Sequence, residues 1–207
     1  MDSNEVVALA GTVNPDLAAR LGFIYELDRL KSVLRQNVIA DGSRNENSAE
    51  HSWHLAMTAL AMAPYAKEPI DLTQVMKTLL VHDIVEIDAG DVDIFDTAGR
   101  ADNEAAEQRA AERIFALLPE PDGSELRRLW DDYEAQSSAD ARFAYACDRL
   151  QPFMLNLAVG GRTWAARGVT ATQVKQINSR IADGLTHVWP TAEMILDKAV
   201  SDGTLEP

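Results

Sequence analysis

The sequence predicts an all-α fold, a single bundle of six to seven helices, and three observations carry that prediction. Apolar residues recur at helical spacing along most of the chain. Alternating runs of β-branched residues are missing, and Pro and Gly stand singly at the ends of periodic stretches instead of gathering into a linker. At 207 residues the chain fits one domain and is long enough to bury a core.

Taken in order, residues 1–13 are small and polar and are expected to form a flexible, frayed segment, leaving 14–207 as the domain. Asn14-Pro15 offers an N-cap followed by proline at the first helical position, and Leu17, Leu21, Ile24, Leu27 and Leu30 lie along the helix it opens. The stretch from Gln36 to Asn47 has turn formers and no period, which predicts a loop. Ser48 can cap a helix over 49–65. Asp71 with Gln74 has the pattern of a capping box and opens a helix through Leu72, Val75, Leu79 and on to Ile87, ended by Gly90. An Ala/Glu/Arg-rich helix follows over 102–118, then one capped by Asp122 or Ser124. A long helix runs over about 139–160, with Pro152 expected to kink it and Gly160-Gly161 to stop it. Thr170 begins the last helical region, interrupted near Pro190.

A net charge of −14 argues against a nucleic-acid polymer as partner, because such binding relies on many Lys and Arg contacts to phosphates. A small phosphate ester is compatible with that charge if a metal ion or a few arginines supply a local positive focus. No run is long and apolar enough to span a membrane, and no signal-peptide layout opens the chain. Cys147 stands alone and fits a reducing compartment, so a cytoplasmic protein is expected.

His82 and Asp83 are the first residues with chemical content. As neighbours on a helix they point about 100° apart, and Glu86 shares their side at i+4 and i+3. Buried carboxylates without partners cost several kcal/mol, so either a cation sits among them or the three form an exposed polar stripe. Upstream, His51 and His54 share a helical face, with His54 read as a core histidine; His187 is read as structural. Downstream, Asp148 lies in the apolar run from Phe143 to Leu150, where a salt bridge to Arg149 or Arg142 and a metal role both fit. Cys147 beside it reads as a small buried hydrophobe.

In that order, His51, His82-Asp83 and Asp148 resemble the H…HD…D signature of the HD-domain metal-dependent phosphohydrolases. More narrowly, Arg44-x-Glu46-Asn47-Ser48-x-Glu50-His51, His82-Asp83-x-x-Glu86, Gly90-Asp91, Trp130-x-x-Tyr133-Glu134 and Asp148-Arg149-Leu150-Gln151 resemble the branch of 5′-deoxynucleotidases and HD-domain-containing protein 2, over about residues 20–160. The resemblance implies a helical domain in which His51, His82, Asp83 and Asp148 bind one divalent cation. Two imidazoles and two carboxylates suit Mn²⁺, Co²⁺, Fe²⁺, Ni²⁺ or Zn²⁺ better than Ca²⁺. It also implies that Glu86 orients or deprotonates the attacking water and that Asp91 is a second acid/base group or a contact to the leaving sugar oxygen. Arg35, with Arg44 next in line, would contact phosphate through its guanidinium fork.

The expected activity is hydrolysis of a small (deoxy)nucleoside 5′-monophosphate, by a protein expected to be a homodimer with Val188, Trp189, Ile195 and Leu196 available for a two-fold interface. The Asp-rich stretch of Asp88, Asp91, Asp93 and Asp96 departs from the branch pattern and bears on base preference. Two other readings compete. A pyrophosphate or phosphodiester hydrolase of the same superfamily is disfavoured by Ile87 following Glu86, and a non-catalytic binding module by the presence of all four ligand positions and Glu86.

Overall fold

The computed structural model describes residues 1–203 and 205–207. Its architecture is helical, with one small hairpin. Helices α1 (Ser3–Gly11) and α2 (Pro15–Asp28) lead through a 3₁₀ turn (Arg29–Ser32) into strands β1 (Leu34–Val38) and β2 (Asn45–Asn47). Then come α3 (Ser48–Met62), α4 (Leu72–Val81), α5 (Glu86–Ala89), α6 (Thr97–Phe115), α7 (Asp122–Ala135) and α8 (Ala139–Ala158). The chain closes with α9 (Arg162–Ala166), α10 (Ala171–Asn178), α11 (Ile181–Gly184) and α12 (Val188–Ser201). Among the described residues seven of these helices have ten residues or more, matching the expected six to seven; the remainder are one or two turns that periodicity does not register.

Three local expectations need correcting. Residues 1–13 contain α1 instead of a frayed segment, because Asp2 and Glu5 form a reciprocal capping box that satisfies the first free N–H groups, although α1 buries no residue. The segment read as a loop pairs β1 with β2 antiparallel, Leu34 opposite Asn47 and Val38 opposite Asn45, with an irregularity between. Its inward positions are Arg35 and Glu46, so the alternation that marks a strand is written in charged residues. The helix expected to run from Asp71 to Ile87 breaks after Val81. Ile84, Glu86, Ile87 and Asp88 donate to carbonyls three residues back, winding residues 82–88 more tightly than an α-helix.

Two buried clusters hold these elements. One joins α3, α4, α7 and α8 to the C-terminal helices through Leu55, Leu79, Phe143, Phe153 and Leu196. The other packs Phe23, Val85, Ile114 and Trp130 between α2, the 82–88 turn, α6 and α7. Each fully buried side chain of this size is worth about 1.5–3 kcal/mol of transfer free energy. Leu196 is fully buried, and Val188 and Trp189 pack on the first cluster, so these residues close the core; of the expected interface set Ile195 stays exposed. Helix α8 runs through Pro152, which has no N–H to give the Asp148 carbonyl one turn back, and ends where Gly160 and Gly161 adopt positive φ. No helix among the described residues is long and apolar enough to cross a membrane.

Candidate metal centre

Helices α3 and α8, the end of α4 and the 82–88 turn converge on one point. Asn47 caps α3 in a capping box with Glu50, which frees Ser48, the residue expected to cap, to face inward with His51 one turn later; both are fully buried. His82 is the C-cap of α4, and Asp83 follows in the turn. Ligand atoms of His51, His82 and Asp83 lie within 4.8 Å of one another. Asp148 completes the group from α8, its Oδ1 standing 3.0 Å from His51 Nε2 and 3.8 Å from His82 Nε2.

The donor set fits a divalent cation. His82 Nδ1 donates to the Leu79 carbonyl at 2.9 Å, which turns Nε2 toward the carboxylates, and that buried Nε2 has no hydrogen-bond partner among the described residues. Burial opposes charge on His82, but the carboxylates of Asp83 and Asp148 outweigh it and hold its pKa up to about 9. Asp148 goes the other way. Against burial, the Arg149 guanidinium and the two imidazoles hold its carboxyl well below the usual range. The salt bridge to Arg149 forms at Oδ2, while Oδ1 faces the histidines. Tyr133 also donates to Oδ2, at 2.8 Å, with burial and Asp148 keeping its phenol protonated.

Beside this group lies a cavity of about 210 Å³, lined among others by His82, Asp83, Glu86, Asp91, Asp148 and Arg35. Arg35 is buried, with Nη1 2.8 Å from Asp83 Oδ2, 3.6 Å from Asp91 Oδ1 and 3.8 Å from Glu86 Oε1. Glu86 accepts a 2.6 Å hydrogen bond from the Ser48 hydroxyl. Burial, then Asp83 and Asp91, push the Glu86 carboxyl well above its ordinary pKa, while Arg35 and Ser48 pull it back. Burial also raises Asp91, opposed by Arg35. A carboxyl that ionises above its usual range in a cavity is suited to proton transfer near neutral pH.

Arg44 lies elsewhere. It is exposed and forks onto Glu50, Nη2 to Oε2 at 2.8 Å, bracing the start of α3 outside the cavity. His54 is held by Gln151 Nε2 at 2.9 Å, and His187 takes the left-handed backbone position (φ 61°) that caps α12. Cys147 is buried with its thiol pushed up by desolvation, as expected of a packing residue.

A family model for the HD domain matches residues 27–189. The chain belongs to the HD-domain family. Among solved structures, this HD domain resembles a predicted metal-dependent phosphohydrolase from Magnetospirillum magnetotacticum, with 47% identity and a TM-score of 0.88 over 93% of this chain and 96% of that one. Among curated proteins it is similar to the 5′-deoxynucleotidase HDDC2 of Bos taurus, 31% identical over 63% of this chain and 63% of that protein. The same protein of Homo sapiens is 30% identical over the same shares. The chain thus matches less than two thirds of the length of these two relatives.

Sequence reasoning left Ser48, Tyr133 and Gln151 without roles in the HD site. Helical spacing was the available signal: Ser48 precedes His51 by three positions, and Gln151 follows Asp148 by three, so each pair shares a face. His51 Nδ1 lies 3.0 Å from Gln151 Oε1.

Proposed function

We propose that this HD domain hydrolyses the phosphate of small (deoxy)nucleoside 5′-monophosphates with one divalent cation held by His51, His82, Asp83 and Asp148. One observation carries the reading: four separated ligand positions converge at a cavity that also holds Arg35, Glu86 and Asp91. When bound, such an ion lowers the pKa of water and polarises a phosphoryl oxygen. Arg35 binds phosphate through its fork, and its charge offsets part of that of Asp83, Glu86 and Asp91. Glu86 takes the proton of the attacking water, and Asp91 serves the leaving sugar oxygen; their unequal surroundings allow them to divide the two roles. The choice of nucleotide follows the naming of the HDDC2 relatives as 5′-deoxynucleotidases.

The reading includes a two-copy assembly, supported by the exposed apolar line of Trp53 (64% exposed), Met57 and Leu60 along α3, and a reducing cytoplasm, supported by the unpaired Cys147. The test is phosphate release from deoxynucleoside monophosphates by the purified protein with Mn²⁺ or Co²⁺. Asp83→Ala is expected to abolish release, and full activity in that variant would remove the mechanism. Light scattering reads the assembly.

A further inference from the structure

Glu46 sits on β2, only 2% exposed, and has no place in the chemistry above. Its Oε1 accepts from Gln151 Nε2 at 2.7 Å. Its Oε2 makes no hydrogen bond among the described residues. That oxygen lies 3.2 Å from His51 Nδ1 and 3.7 Å from Arg35 Nε, and the Nε is itself buried without a hydrogen-bond partner among them. Leaving a buried carboxylate oxygen and a buried guanidinium N–H unmatched is costly, and such atoms call for an explanation.

We propose that Glu46 is a positioning residue that ties the ring of His51 to the guanidinium of Arg35, so that cation binding and phosphate binding both depend on one buried carboxylate. The proposal rests on reading His51 as a cation ligand. Toward His51 the argument concerns the tautomer. Nδ1 faces two acceptors, Gln151 Oε1 at 3.0 Å and Glu46 Oε2 at 3.2 Å, so Nδ1 carries the hydrogen and Nε2 presents its lone pair beside Asp148 and Asp83. A carboxylate behind a ligating imidazole fixes the ring and raises its basicity. Toward Arg35 the argument concerns aim. The guanidinium is held between Glu46 at Nε and Asp83 at Nη1, across a hairpin whose inward positions are Arg35 and Glu46, and Asn45 Nδ2 pins the Arg35 carbonyl at 2.6 Å. Without the Glu46 charge, Arg35 is drawn toward Asp83, Glu86 and Asp91 alone.

The test is Glu46→Gln, which keeps the shape and removes the charge. Mn²⁺ binding is measured by the EPR signal of the free ion, and inorganic phosphate binding by calorimetry at saturating Mn²⁺, with the melting temperature as a check on folding. The expected result is Mn²⁺ affinity weaker by about 10- to 100-fold, together with weaker phosphate binding. In an Arg35→Ala background the phosphate effect of Glu46→Gln disappears while the Mn²⁺ effect persists. A folded Glu46→Gln protein with wild-type Mn²⁺ affinity overturns the proposal, as does a phosphate effect that survives Arg35→Ala. If Glu46→Gln does not fold, Glu46→Asp is used; it is expected to weaken both affinities to a smaller degree, and wild-type values for it overturn the proposal. Failure of the wild-type protein to bind Mn²⁺, Co²⁺ or Zn²⁺ removes the metal reading and this proposal with it, whereas tight wild-type binding with no effect of Glu46→Gln removes the proposal alone.

Discussion

Ser48→Ala is the sharpest probe of the proton-transfer role proposed for Glu86. Ser48 is fully buried and its hydroxyl donates to Glu86 Oε2 at 2.6 Å, so the substitution removes one oxygen and leaves the α3 backbone and its Asn47 cap in place. A hydrogen bond to an ionised group contributes about 1.5–3 kcal/mol, and one pKa unit corresponds to about 1.4 kcal/mol. The bond favours the carboxylate, so its loss raises the Glu86 pKa further. The assay is the pH dependence of kcat/KM for phosphate release with Mn²⁺. If Glu86 acts as the base it must be ionised, and the acidic limb moves up. If it acts as an acid, the alkaline limb moves up instead. An ion in the neighbouring ligand set lowers the pKa in both proteins, so the difference between them persists. A folded Ser48→Ala protein in which neither limb moves would refute the assignment of proton transfer to Glu86.

Glu86→Gln is expected to separate stability from function. Because the folded-state pKa is raised, folded protein keeps a proton that the unfolded chain has released between the ordinary glutamate value and the raised one, so stability falls as pH rises through that window. In chelator, Glu86→Gln therefore melts above wild type at pH 8, the gap narrows toward pH 5, and phosphate release is lost; equal melting at pH 8 contradicts the account. Mn²⁺ at a hundred times its Kd is expected to stabilise the wild-type protein by about 2.7 kcal/mol, and Asp148→Asn to lose most of that gain, both read by thermal melts with and without the ion. Leu79→Ala empties a fully buried site one turn before His82 and should cost about 2–5 kcal/mol in urea unfolding. Because the Leu79 carbonyl that orients His82 is backbone, Mn²⁺ binding is expected to survive in the folded fraction.

The helices that carry the site were legible because their signals are local: Ser48 at the head of α3, Asp71 capping α4, and Gly160-Gly161 stopping α8. The hairpin was not, since Leu34–Val38 and Asn45–Asn47 contain little β-branched sequence and owe their pairing to what Arg35 and Glu46 meet inside. The break after Val81 escaped periodicity for a related reason. Val85 and Ile87 continue an apolar pattern, yet the chain tightens so that Asp83 and Glu86, three apart, reach the cavity from one side. The side of each helix on which a polar group is buried is set by partners far along the chain. Ser48 to Glu86, 38 residues apart, is a contact that no local window of sequence contains.

The charge balance of the site ties its chemistry to the acidity of the whole chain. Glu46, Asp83, Glu86, Asp91 and Asp148 gather around the guanidinium groups of Arg35 and Arg149, leaving negative charge in excess. Without an ion, protons supply part of the balance: His82 is held up to about 9, and Glu86 is raised by burial and by Asp83 and Asp91. A divalent cation answers the same deficit with more charge and no loss of donor geometry, so cation binding competes with protonation. That competition matters more here than in a neutral protein, because a net charge of −14 repels a phosphate dianion until the cavity has a positive focus. Arg35 alone cannot provide one, since three carboxylates already share its charge. On the proposed function the ion has to bind before the phosphate, which predicts that phosphate affinity rises with Mn²⁺ occupancy and is lost in Asp148→Asn.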